Sequence, residues 1–210
     1  MMRAIFIGEG SSDRPLAEIV ASLFEREGVQ IDVVAPDLDL LPGLRRDVGS
    51  KVAAALSLTG ARVDLLVIHR DSDNAGSPAR RNEIHEAIEA NASGHRHLCV
   101  IPVHMTEAWL ILDETAIRQV SGNPGGRLSL GLPTAKEAER RADPKAILAE
   151  AILIASAESG RRRERVVRRF NENRRRLLEQ LDIDGPVNQL ESWQELVADV
   201  RKLAATFAES

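Results

Sequence analysis

The sequence predicts an α/β protein, a mainly parallel sheet with helices on both faces, followed by a C-terminal helical extension. Three observations lead there. Short, wholly apolar runs recur through the first half of the chain, as strands buried on both faces do. Segments with apolar residues at helical spacing separate them. Beyond Val103 the strand-like runs stop and helical patterns continue alone.

"RAIFI", Arg3 to Ile7, stops at Gly8 and reads as the first strand. Leu16, Ile19, Val20, Leu23 and Phe24 then mark one helix face, with Ser11 or Ser12 as N-cap, Asp13 in the first turn and Gly28 as the stop. The alternation continues with "IDVVA" as strand, "RRDVGSKVAAALSL" as helix, "VDLLVIH" as strand, "ARRNEIHEAIEAN" as helix and "LCVIPV" as a strand ending near Val103. Strands alternating with helices imply right-handed crossovers and a parallel sheet. "TEAWLILDETAIRQV" predicts one helix, "SGNPGG" a break, and "DPKAILAEAILIASAESG" a helix with Asp143 as N-cap and Pro144 at its first position. The arginine-rich stretch Arg161 to Arg176 keeps a weak apolar stripe through Val166, Phe170, Leu177 and Leu181. Ser192-Trp193-Gln194-Glu195 predicts a capping box at the start of a last helix. The expected division is an α/β domain over residues 1–112 and a helical extension over 113–210 packed on it.

Composition narrows the function. The 210 residues are 43% apolar and 29% charged, which is ordinary for a chain that buries a sizeable core. No apolar run approaches the roughly 20 residues of a membrane span, and the N-terminus lacks a secretory core, so a cytoplasmic protein is expected. Cys99 is the single cysteine, which excludes an intrachain disulfide and a Cys-rich zinc ribbon. The net charge of −4 argues against coating nucleic acid by bulk attraction, yet Arg161 to Arg176 holds nine arginines and two glutamates.

The carboxylates fall where chemistry is expected. In open α/β sheets ligands bind outside the carboxyl ends of the strands. Glu9 follows the first strand, and Asp71 and Asp73 follow the third in "LLVIHRDSDNAGSP". If those strands are neighbours, three carboxylates meet at one rim. Aspartates two apart in extended chain point to one side, roughly 6.5–7 Å apart. Their oxygens suit Mg2+, which takes a few carboxylates and keeps several waters. Each piece also has a plainer role: the Asp-Ser-Asp-Asn tip as a turn or cap, and Asp13 as a first-turn acid complementing the helix dipole. Glu107, just past the last strand, either joins the rim or sits in a first turn with Thr106 as N-cap and Trp109 in the core. His104 is a contact for phosphate or metal, or a structural histidine.

The patterns "IGEGSSD", "IHRDSDNAG" and "IPVHMTEAWLILD", with a later "DPK", resemble the TOPRIM fold. More narrowly they resemble an uncharacterised TOPRIM-like family related to the nuclease domains of OLD (overcoming lysogenisation defect) proteins. The resemblance implies that Glu9, Asp71 and Asp73 bind Mg2+ or Mn2+ and support phosphodiester chemistry. It also matches Asp13 to a second acidic position of the first motif, and Glu107 to the acidic residue beyond the fourth strand. The larger nucleases carry an attached ATPase, so a protein partner such as an ATPase is expected to be possible here.

Within TOPRIM chemistry the absence of tyrosine excludes the topoisomerase nucleophile, and one cysteine excludes the zinc-containing branches. Hydrolysis by metal-activated water remains, on DNA or RNA, in phage defence or DNA repair. Catalytic roles are expected for Glu9, Asp71, Asp73 and Glu107, with Asp13 an additional metal ligand. Arg168, Arg169, Arg174 and Arg175, with Lys136 and Lys145, are expected to contact nucleic-acid phosphates. Two alternatives stand beside this reading: a non-catalytic scaffold that works through a protein partner, and a phosphohydrolase for a small ligand.

Overall fold

The apolar runs become four parallel strands in a computed structural model that describes residues 1–60 and 62–208. They are β1 (Met2–Ile7), β2 (Ile31–Val34), β3 (Leu65–His69) and β4 (His97–Val100), ordered β2-β1-β3-β4. Ile7 lies opposite Ile68 between β1 and β3, and His69 opposite Val100 between β3 and β4. The first crossover therefore runs one way from β1 and the later ones run the other, so right-handed connections put helices on both faces.

Two compact units divide the chain. The first holds residues 1–101 and the chain from Glu195 onward. In it, α1 (Pro15–Arg26) buries Leu16, Ile19, Val20, Leu23 and Phe24, the stripe expected from their spacing. The helices α2 (Val48–Thr59) and α3 (Ser77–Ala92) supply Val52, Ala55, Ile84 and Ile88 to a core with Ile5, Ile7, Leu66 and Ile68. These strand residues alternate with Ala4, Phe6, Leu65 and Val67, which are buried as well, so β3 and the stretch of β1 from Ala4 to Ile7 have no solvated face.

The second unit, Pro102–Gln194, is helical. It contains α4 (Glu107–Leu110), α5 (Glu114–Val120), α6 (Ala135–Ala138), α7 (Pro144–Ser156), α8 (Gly160–Arg168) and α9 (Phe170–Glu179). The last helix, α10 (Glu191–Ala208), begins here and ends in the first unit. Trp109 and Trp193 meet edge to face at 5.1 Å, and the Trp109 indole donates to Ser192 Oγ at 2.9 Å. No described helix is long and apolar enough to cross a membrane.

Several expectations shift. β4 stops at Val100 rather than Val103, because Pro102 has no N–H for a ladder. The helix expected over residues 106–120 breaks after Leu110, where the Asp113 carboxylate accepts from the Ala116 N–H and starts α5 afresh. Ser11 and Ser12 form a short 3-10 turn instead of capping α1. At α10 the expected capping box gives way to Glu139, whose carboxylate accepts from the N–H groups of Glu191 and Ser192 at 2.9 and 2.8 Å. The unit boundary falls at Ile101 rather than Leu112, and the chain from Glu195 belongs with the sheet.

Candidate functional site

The carboxyl ends of β1 and β3 are adjacent, at the point where strand order reverses. Gly8 carries the chain off β1 in a tight space: a Cβ there would stand 3.1 Å from the Phe6 ring and 3.2 Å from Asp13 Cβ. Lys51, buried on α2, donates to the carbonyls of Gly8 and Glu9 at 2.9 and 2.7 Å, fixing the strand exit. The Glu9 carboxylate turns toward the tip of β3. Its Oε1 accepts from the Asp71 N–H at 3.3 Å and pairs with Arg70 Nε at 3.0 Å.

His69 is the buried centre of the same tip. Its Nδ1 lies 3.4 Å from Asp13 Oδ2 and its Nε2 3.3 Å from Asp71 Oδ1, with the ring stacked on Phe6. Burial alone would lower its pKa, but the hydrogen bonds and charges of Asp13 and Asp71 prevail and raise it to about 9. The ring is therefore held in its charged form at neutral pH, with a carboxylate facing each nitrogen. Asp13 in turn accepts from the Gly10 N–H at 3.2 Å.

Asp73 adopts a left-handed backbone, φ 45°, and its half-exposed carboxylate pairs with Arg80 at 3.2 Å. Arg80 also donates to the Asp71 carbonyl at 3.1 Å and to Glu83 at 2.8 Å, and Arg70 pairs with Glu83 at 3.1 Å. The residual imbalance sits on Glu9. Burial first, and then the Asp71 charge, raise its carboxyl above the usual range, with Arg70 and His69 acting in the opposite sense. Desolvation likewise lowers the Lys51 ammonium.

Glu9, Asp13, Asp71 and Asp73 thus share one rim, joined by His69, Arg70, Lys51 and Arg80, which the motif reading did not include. His69 and Arg70 had a visible signal, since they stand between the apolar run and the aspartates. Lys51 had none. Among the described residues, no group of three or more His, Cys, Asp and Glu side chains is gathered to hold a metal ion as it stands.

The other expected residues lie in the second unit. Glu107 is buried in the first turn of α4, and Arg174 Nε donates to its Oε1 at 2.8 Å, with only 6% and 8% of the two side chains exposed. Arg174 is thus engaged inside the protein, while Arg169 and Arg175 pair at the surface with Glu172 and Glu179. Arg168 is exposed on α8, and Lys136 is exposed on α6. Lys145 is exposed on α7, with its ammonium 5.9 Å from the centre of the Phe170 ring. His104 takes a left-handed backbone, φ 58°.

The chain matches no protein-family model, no curated protein and no solved structure.

Proposed function

We propose that the first unit is a metal-dependent hydrolase of phosphodiester bonds in nucleic acid. The observation that carries this is the meeting of Glu9 and Asp71 at the tips of adjacent parallel strands, with the Glu9 carboxyl raised by burial and by the Asp71 charge. Crowded carboxylate oxygens at a strand-order switch suit a hard divalent cation and are strained without one. Glu9, Asp71 and Asp73 would hold Mg2+ or Mn2+, which when bound supplies an acidified water and counter-charge for a leaving oxygen. The chain's own residues do the rest. The His69 imidazolium orients Asp71, Lys51 holds the Gly8–Glu9 exit, and Arg70 and Arg80 present guanidinium N–H groups suited to phosphate oxygens. Glu107 takes no part in this reading, because its carboxylate is engaged by Arg174.

A second reading has an observation of its own. Asp13 and Asp71 already face His69, Glu9 faces Arg70, and Asp73 faces Arg80. A scaffold so neutralised from within could bind without cutting and act through a protein partner such as an ATPase.

One experiment separates the two. Plasmid DNA, single-stranded DNA, RNA and bis(4-nitrophenyl) phosphate are incubated with the protein and Mg2+ or Mn2+, beside Asp71→Asn and Asp73→Asn. The hydrolytic reading expects metal-dependent cleavage that both variants lose, and a metal-induced rise in Tm for the native protein. Absence of both cleavage and Tm shift favours the scaffold. Asp73→Asn should stay folded in EDTA, since a half-exposed ion pair contributes at most about 1 kcal/mol.

A further inference from the structure

The helix α8 is anomalous in its own terms. It has nine residues, buries none of them, and carries five arginines against one glutamate. An isolated helix of this length is marginal in water, so packing normally stabilises it. Here packing is thin, and Val167 is 59% exposed. Arg161, Arg162 and Arg163 occupy the first turn, where the helix dipole disfavours cations. Like charges one turn apart add repulsion. Neither propensity nor burial explains this composition.

The surrounding carboxylates do not absorb the charge. Arg162 reaches Glu158 at 3.8 Å, but among the described residues no carboxylate lies within ion-pair distance of Arg161, Arg163, Arg165 or Arg168. Helical geometry puts Arg161, Arg165 and Arg168 on one face, at spacings of four and three residues, over about 10 Å of axis.

We infer that this face of α8 is a docking surface for the phosphate backbone of duplex nucleic acid. In the choice of polymer it rests on the phosphodiesterase reading. Measured along the duplex axis, about 10 Å spans about three phosphate steps of one strand, at roughly 3.4 Å of rise each, within the sideways reach of long arginine side chains. Guanidinium N–H pairs fit phosphate oxygens bidentately, which a lysine stripe would not. The helix offers no aromatic ring for stacking, so bases go unread and the contact is indifferent to sequence. An acidic protein partner fits less well, because interface cores need apolar anchors and Val167 alone is offered.

The test is fluorescence anisotropy of a labelled 20-base-pair duplex across a salt series. The Arg161→Gln, Arg165→Gln, Arg168→Gln triple variant should bind roughly 100-fold or more weakly at 0.1 M salt. Its log Kd against log salt should be shallower by about 2.7, since each lost phosphate contact removes about 0.9. The single variant Arg165→Gln should remove about 0.9, which keeps the test alive if the triple variant misfolds. As a control, Arg26→Gln, Arg62→Gln, Arg201→Gln makes the same charge change in the other unit and should leave the slope unaltered. A loss no larger than in that control, or no duplex binding by the native protein, overturns the inference. Poly-glutamate displacing the duplex at equal charge concentration also overturns it, in favour of an acidic protein. The α8 variant should still cleave bis(4-nitrophenyl) phosphate with Mn2+. If the native protein binds the duplex and the α8 variant does not, but neither cleaves bis(4-nitrophenyl) phosphate, the hydrolytic reading alone is sunk, whereas cleavage by both with an unchanged salt slope sinks the α8 surface alone.

Discussion

Replacing Arg174 with Met should destabilise the helical unit severely. The Arg174 and Glu107 side chains are 8% and 6% exposed and meet at 2.8 Å, so removing the guanidinium leaves a carboxylate buried without its cation. Breaking a pair of this kind costs about 3–5 kcal/mol. With a urea m-value of about 1–1.5 kcal/mol/M for a unit this small, the midpoint should fall by roughly 2–5 M. The double variant Glu107→Met, Arg174→Met should recover most of that loss, because apolar groups can replace both charges at little cost. Tryptophan fluorescence is a clean probe: the chain has two tryptophans and no tyrosine, and Trp109 and Trp193 both lie in this unit. A midpoint for Arg174→Met within about 0.3 M of the native protein would refute the reasoning, as would a double variant no more stable than the single one. The first of these results would return Arg174 to the phosphate-contact role expected from its position in the arginine-rich stretch.

The His69 imidazolium makes stability depend on pH. Its folded pKa of about 9 exceeds the unfolded value of 6.5, so its contribution is complete below pH 6.5 and is lost as pH rises through 9, up to about 3 kcal/mol. In EDTA, Tm should decline over that window and an imidazole NMR titration should centre near pH 9, whereas a midpoint near 6.5 would remove the bridged imidazolium. Gly8→Ala should cost about 1–3 kcal/mol by urea melt, since its Cβ would crowd the Phe6 ring at 3.1 Å and Asp13 at 3.2 Å. An unchanged melt would show that the loop gives way freely. The Cys99 thiol is buried and pushed up to about 11, so at pH 8 a disulfide reagent should label it only after unfolding, and rapid labelling of the native protein would contradict its burial.

The sequence by itself determined the parallel sheet and the placing of Glu9, Asp71 and Asp73 at one rim. Uniformly apolar runs such as "AIFI" and "LLVIH" can be satisfied only between two covered faces, and a strand's end fixes where the next residues emerge. Glu9 and Asp71 were legible for that reason, and so was the Asp143 cap of α7, whose carboxylate accepts the Ala146 N–H three residues on. These are local or periodic signals, within the reach of one strand or one helical turn. Tertiary structure alone decided what the charges do. Lys51 reaches Gly8 from 43 residues away, Arg174 reaches Glu107 from 67, and Glu139 caps α10 from 52. The Arg161 to Arg176 stretch looks uniform in sequence, yet one arginine is buried against Glu107, others pair at the surface, and a stripe on α8 is left without carboxylates. Electrostatic energy depends on distance in space and on the dielectric around each group, and neither is written in sequence separation.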